Sequence, residues 1–189
     1  RVRRQRQMCI RDREMVDRSN ISKALLIADR GYESYNNMAH IQEKGWFFLI
    51  RIRDGTNGMK NGFELPDEEE FDVDISLKLT RKQTNEVKEL FAKDKNHYKF
   101  IPHSTPFDFL SNKLRKNDPI QFYKLNFRIV RFKITEDTYE TVLTNLSRIE
   151  YPAKTIKDLY ARSCLNFIFG QLLFFDFVCP YLKISYLCT

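Results

Sequence analysis

The stretch KALLIADRGYESYNNMAHIQEKGWFFLIRIRD, Lys23 to Asp54, decides the fold. It opens with Ala24–Ala28, five consecutive small or apolar residues, the pattern of a strand covered on both faces. Next, ESYNNMAHIQEKG places Tyr35, Met38, Ala39 and Ile41 on one helical face, with Gly45 to end the helix. WFFLIRIRD then reads as a second strand, where Ile50 and Ile52 alternate with Arg51 and Arg53, so its last half is open on one side. Strand, helix, strand in this order predicts a parallel pair joined by a right-handed crossover. Asp29 stands directly after the first strand, followed by Arg30, Gly31 and Tyr32. An acid there either caps the next turn or is held on a rigid strand end for chemistry.

Outward from this unit, EMVDRS before Ser19 and Asn20 reads as the end of a helix. After Asp54 the composition changes: DGTNGMKNG carries three of the six glycines and reads as loop or turns. FDVDISLKLT alternates Phe71, Val73, Ile75, Leu77 and Leu79 with polar residues, the mark of a half-buried strand in an antiparallel sheet. RKQTNEVKELFAK suits a helix or a polar connection, whereas HYKFI, IQFYKLNFRIVRFKIT and TYETVLTNL are strand-like. TIKDLYAR closes with a helical signal, for which Thr155 is the expected N-cap. The organisation expected is an α/β core over residues 14–54 and 127–162, interrupted by a β-rich insertion over 55–126.

Both ends depart from this pattern. Residues 3–13 hold five arginines and one aspartate, supplying +4 of the chain's net charge of +7. Codons for this segment can be chosen to reproduce a tagging adapter used for sequencing libraries, so residues 1–13 are expected to be an assembly artefact. Their charge is then no argument for nucleic-acid binding, and the remaining +3 is mild. Residues 163–189 contain only two charged residues, Asp176 and Lys183, and three of the four cysteines, as a frameshift or fusion would leave them. Asp176 and Pro180 cut the apolar run, which argues against a membrane span and a membrane partner. The cysteines form no CxxC pair and the three histidines are scattered, which excludes a zinc framework; no phosphate-binding glycine loop or HExxH is present. PDEEEFD reads as a solvated acidic loop.

LLIADRGYESYNNMAHIQEKGWFFLIRIRD, FRIVRFKITEDTYETVLTNL and KTIKDLY, in this order around a β-rich insert, together resemble the DDE transposases of bacterial insertion sequences, most nearly the insertion sequence 4 family. The resemblance runs over residues 14–162. It implies an RNase H-like catalytic core in which two aspartates and a glutamate hold Mg2+ for DNA cleavage and strand transfer. Two hard cations bridged by carboxylates stabilise both the attacking and the leaving oxygen of an in-line displacement. Asp29 matches the family's second aspartate and is the expected catalytic residue and metal ligand. DNA at transposon ends is the implied partner, with a homodimer in the intact parent and a bacterial cytoplasmic, nucleoid-associated location. Arg30, Arg51, Arg53, Arg128 and Arg131 are candidate phosphate contacts, beside the plainer alternative of exposed strand arginines.

The rest of the triad does not align. The family's first aspartate has no counterpart in this sequence. Its last motif starts with a tyrosine, which Tyr160 fits. Ser163 then stands where the family has arginine, Phe167 where it has the glutamate, and Phe174 where it has lysine. The sequence therefore leads to a transposase fragment, inactive as it stands. The alternative is a non-catalytic DNA-binding or interaction protein descended from one.

Overall fold

The computed structural model describes residues 13–53, 58–113, 115, 117–164, 173–176 and 183–185. A helical turn at 13–18 (α1) leads into β1 (Ala24–Ala28), α2 (Tyr35–Glu43) and β2 (Phe47–Arg51). β1 and β2 pair in parallel, Leu25 with Phe47 through Ala28 with Ile50, as the sequence predicts. The crossover closes at Gly45, whose φ of 71° is the left-handed conformation that a side chain resists.

β3 (Phe71–Thr80), α3 (Asn85–Lys93), β4 (Tyr98–Phe100), β5 (Tyr123–Thr135), β6 (Thr138–Thr144) and α4 (Ala153–Cys164) follow. The backbone continues through β7 (Leu173–Asp176) and β8 (Lys183–Ser185). The described strands form one mixed sheet in the order β4-β3-β5-β6-β2-β1-β7-β8. β3 and β4, from the stretch read as an insertion, thus extend the same sheet as β1 and β2. β5 runs through residue 126 without a break.

Two sequence expectations need correction. β4 pairs with β3 in parallel, Lys78 with Tyr98, not as part of a purely antiparallel array. The intervening α3 makes this possible, because a helical crossover returns the chain in the same direction. Thr84 caps α3, its Oγ1 accepting from the Val87 amide at 3.3 Å. The second correction concerns Thr155, which lies inside α4 and is not its N-cap. Pro152 starts the turn earlier, its carbonyl accepting from the Ile156 amide at 3.1 Å.

The sheet separates two apolar layers. Ala24, Leu26, Ala28, Phe48, Ile50 and Ile52 face the α1 and α2 side, where Met38, Ile41 and Trp46 close the core. Leu25, Ile27 and Leu49 face the other way, onto Ile156, Leu159 and Tyr160 of α4. A residue-by-residue alternation between two cores is what a doubly covered strand requires. Asp29 continues the Leu25 and Ile27 row and so belongs to the α4 face. At β6, Asn145 takes over from the ladder: its Oδ1 accepts from the Phe48 amide at 2.8 Å and its Nδ2 donates to the Trp46 carbonyl at 3.0 Å.

The α1 and α2 layer is tied to the 101–110 segment through His40. Its Nδ1 lies 3.0 Å from Asp17 and its Nε2 lies 2.9 Å from Asp108, with the ring edge-on to Phe109. His40 is therefore a packing residue, as its scattered position suggests. For Asp108, partial burial acts to raise the carboxyl's titration, but hydrogen bonds from Asn36 and His40 outweigh it and hold it below the ordinary value. A carboxylate with a depressed folded value adds stability above its unfolded value and loses it as the pH falls through the folded one. Asp108→Asn should therefore be less stable than the parent at neutral pH. The gap should close between about pH 5 and pH 1, measured by urea unfolding at each pH. A gap independent of pH over that range contradicts the assignment.

Candidate functional site

Parallel strands of an open α/β sheet end together, and side chains just beyond their carboxyl ends share one crevice. Here the register that sets Ala28 against Ile50 brings Asp29 beside Arg51. Asp29 has extended backbone (φ −86°, ψ 174°) and precedes the 3-10 turn Arg30–Tyr32. Its side chain makes no capping hydrogen bond, and 53% of it is exposed. The capping explanation for an acid at this position is thus removed, leaving a carboxylate displayed at the end of a rigid strand.

The nearest cation is Arg51, with Nη1 at 3.8 Å from Asp29 Oδ1. Arg51 is engaged more closely elsewhere. Its Nε donates to Glu140 Oε2 at 2.7 Å and its Nη2 donates to Glu140 Oε1, a two-pronged pair. Arg30 reaches the same carboxylate, with Nη2 3.6 Å from Oε2. Burial acts to lower the Arg51 value, but the Glu140 hydrogen bond and the nearby Glu140 and Asp29 charges together outweigh it. The net shift is upward and Arg51 stays cationic. Glu140, only 15% exposed, is the crevice residue that sequence reasoning missed. Its one signal was a charged residue inside the β-branched run of β6.

The other candidates are placed as follows. Tyr160 is buried on α4, edge-on to Phe132 with ring centroids 5.6 Å apart, on the same face of the sheet as Asp29 and Arg51. Arg53 is exposed just beyond β2, and its amide donates to Glu33 Oε2 at 3.3 Å. Arg30, Arg51 and Arg53 are thus gathered around the ends of β1 and β2. Arg128 and Arg131 lie on β5 and are not brought there. Arg128 is 1% exposed, bound to Asp72 Oδ2 at 2.8 Å and to the Tyr151 carbonyl, so it presents no face to solvent. Arg131 donates from Nε to the Glu69 carbonyl at 2.9 Å and lies over the Tyr139 ring. The acidic run is exposed, as expected of a solvated loop, and its end is anchored: Glu69 accepts from Tyr139 and Glu70 from the Lys133 amide. Ser163, Phe167 and Phe174, set against the last family motif, have side chains outside the described residues.

As a metal centre the site falls short. Among the described residues no three His, Cys, Asp or Glu side chains converge on one point. Asp29 supplies one carboxylate, and Glu140 has both oxygens on Arg51. Two bridged divalent cations need more oxygen ligands than this, so the described residues do not fit a two-metal set. No helix among them is long and apolar enough to cross a membrane.

A mixed sheet with a carboxylate displayed at the end of its parallel pair defines an α/β domain with a charged crevice. Comparison with protein families matches residues 9–163 to the transposase DDE domain, and the chain belongs to that family. Transposition is the function of this family, and a divalent metal ion and DNA are what it implies as cofactor and partner. No curated protein and no solved structure is similar enough to add to the assignment.

The geometry separates the two carboxylates in energy. Glu140→Gln leaves a half-buried guanidinium against a neutral amide and should cost roughly 2 kcal/mol. Asp29→Asn removes only a loose, half-exposed pair and should stay within about 0.5 kcal/mol. Denaturant unfolding of both variants checks the order, and equal losses contradict it.

Proposed function

We propose that this chain is a fragment of a DNA transposase of the insertion sequence 4 type, with an RNase H-like core, whose intact parent binds transposon ends and performs Mg2+-dependent cleavage and strand transfer. The observation that carries the proposal is Asp29: a carboxylate at the carboxyl end of a strand buried on both faces, free of any capping role, with arginines on either side. Rigid placement is what a ligand in a phosphoryl-transfer site needs. The match over residues 9–163 supports the same reading.

The roles follow from position. Asp29 serves the reacting centre of the parent enzyme as a metal ligand. Arg30 and Arg53 flank it and meet backbone phosphates, which fixes the strand relative to Asp29 without reading sequence. Arg51 is divided between Asp29 and Glu140 and offsets their charge. Tyr160, the remnant of the last family motif, packs under this crevice from α4. With Asp29 the one carboxylate of the crevice left uncommitted among the described residues, no chemical step is assigned to this chain. That shortfall favours the non-catalytic alternative, a DNA-binding protein on a transposase scaffold, for the polypeptide as it stands.

Two measurements test this. In an intact homologue, the substitution equivalent to Asp29→Asn should abolish cleavage of end DNA while leaving its binding unchanged. Retained cleavage overturns the role of Asp29. The present chain should bind duplex DNA with an affinity that falls as salt rises, and should not nick it when Mg2+ is added. Nicking by the chain that disappears in Asp29→Asn overturns the inactive reading, and failure to bind DNA at low salt overturns the DNA reading altogether.

A further inference from the structure

Beside Asp29, on the other side of Arg30, lies an open cleft of about 450 Å³ that the family resemblance does not assign. Arg30 and Gly31 of the 3-10 turn, Arg53, Gly58, Gly62 and Lys99 of β4 line it, with Glu33 and Tyr35 at its base. We propose that this cleft seats a backbone phosphate of a nucleic-acid strand, with Lys99, Arg53 and Arg30 as its cations. The inference rests on the DNA reading above and adds to it a site, a ligand class and a residue, Lys99, from the far edge of the sheet.

The charge balance is the first argument. Among the described residues lining the cleft, three cations, Arg30, Arg53 and Lys99, meet one carboxylate, Glu33, which is occupied, while Arg30 also lies 3.6 Å from Glu140 outside it. Its oxygens accept from the amides of Arg53 and Met59, which ties the two ends of the 53–59 stretch together. Both of its oxygens are thus engaged by backbone amides.

Lys99 is the second argument. Its ammonium donates to the Gly62 carbonyl at 3.1 Å and lies 5.2 Å from the Phe63 ring centroid. Among the described residues it has no carboxylate partner. Burial without a counter-charge pulls its titration below the ordinary lysine value. An ammonium held this way gains an opposite charge at less cost than a fully hydrated one, because part of its water is already gone.

Gly62 is the third. A Cβ at this position would push the flexible Lys99 side chain aside, so glycine here lets the ammonium keep its place. At Gly58 it would run into the Arg53 carbonyl. Glycine at both positions lets the loop backbone close on the cleft while leaving the ammonium uncovered. Arg30 adds an unused donor, since its Nε is buried without a hydrogen-bond partner.

The test is a salt series on the full chain with a labelled DNA duplex, for the parent, Lys99→Gln and Arg53→Gln. Each phosphate contact contributes about 0.9 to the slope of log affinity against log salt. Each variant should therefore lower the slope by about that amount and weaken binding to the same degree on unrelated sequences. Arg53 is exposed, so its variant probes the cleft without disturbing the core, even where Lys99→Gln lowers stability. DNA binding with an unchanged slope in Arg53→Gln and in folded Lys99→Gln overturns the cleft but leaves the DNA reading standing. A parent chain that binds no DNA overturns the nucleic-acid source. Inorganic pyrophosphate titrated against the amide resonances of Gly58, Gly62 and Lys99 then decides the rest. A saturable shift keeps the cleft as a site for free phosphates, and no shift overturns it.

Discussion

The parallel ladder between β1 and β2 is the constraint on which the remaining structure depends. Every residue from Ala24 to Ala28 is buried, alternating between the α2 layer and the α4 layer, so the strand has no face to spare. A slip of one residue would exchange the two layers and turn Asp29 from the α4 face to the α2 face. The register is therefore fixed by ten or so apolar side chains that have nothing to do with chemistry, and the charged crevice inherits its geometry from them. Gly45 matters for the same reason, since the helix has to end there for Trp46 and Phe47 to enter the sheet in step.

Within the crevice, one arginine decides how the carboxylates are used. Arg51 faces two acids and bonds both nitrogens of its fork to Glu140, because β6 lies directly against β2 and the side chain there is shielded from water. Two parallel charge-assisted bonds outweigh a single contact at 3.8 Å to a half-exposed partner. Asp29 is thus left the more available of the two acids, and Glu140 becomes a structural counter-ion. Arg30 and Arg53 lie on the side where the cleft opens.

What the sequence made legible and what it hid follow from the range of the interactions. β1, α2 and β2 are built from contacts within about thirty residues, and their periodicities sit in plain view; so does Asp29, which terminates one of them. Glu140 was hidden because its partner is 89 positions away and only the β2 to β6 pairing joins them. Lys99 was hidden for the same reason, lying in a three-residue strand whose parallel pairing depends on the α3 crossover. Arg128 shows the opposite error: in sequence it alternates like an exposed strand arginine, whereas Asp72 and the Tyr151 carbonyl draw it into the interior. Thr155 looked like a cap because hydroxyls favour that role, and the proline three positions earlier had already begun the helix.

The edge of the sheet limits what can be added beside β1. β1 has two neighbours: β2 on one side and, on the other, β7, paired antiparallel with Ala24 against Asp176 and Ile27 against Leu173. A further strand beside β1 would have to form its ladder on the side that β7 occupies, since β2 takes the other. The two pairings exclude each other, since each needs the same outward amide and carbonyl groups of β1. An unpaired β1 edge would be an open template for a further strand. With Leu173–Asp176 paired along it, that template is closed, and the sheet continues past β1 through β7 and β8.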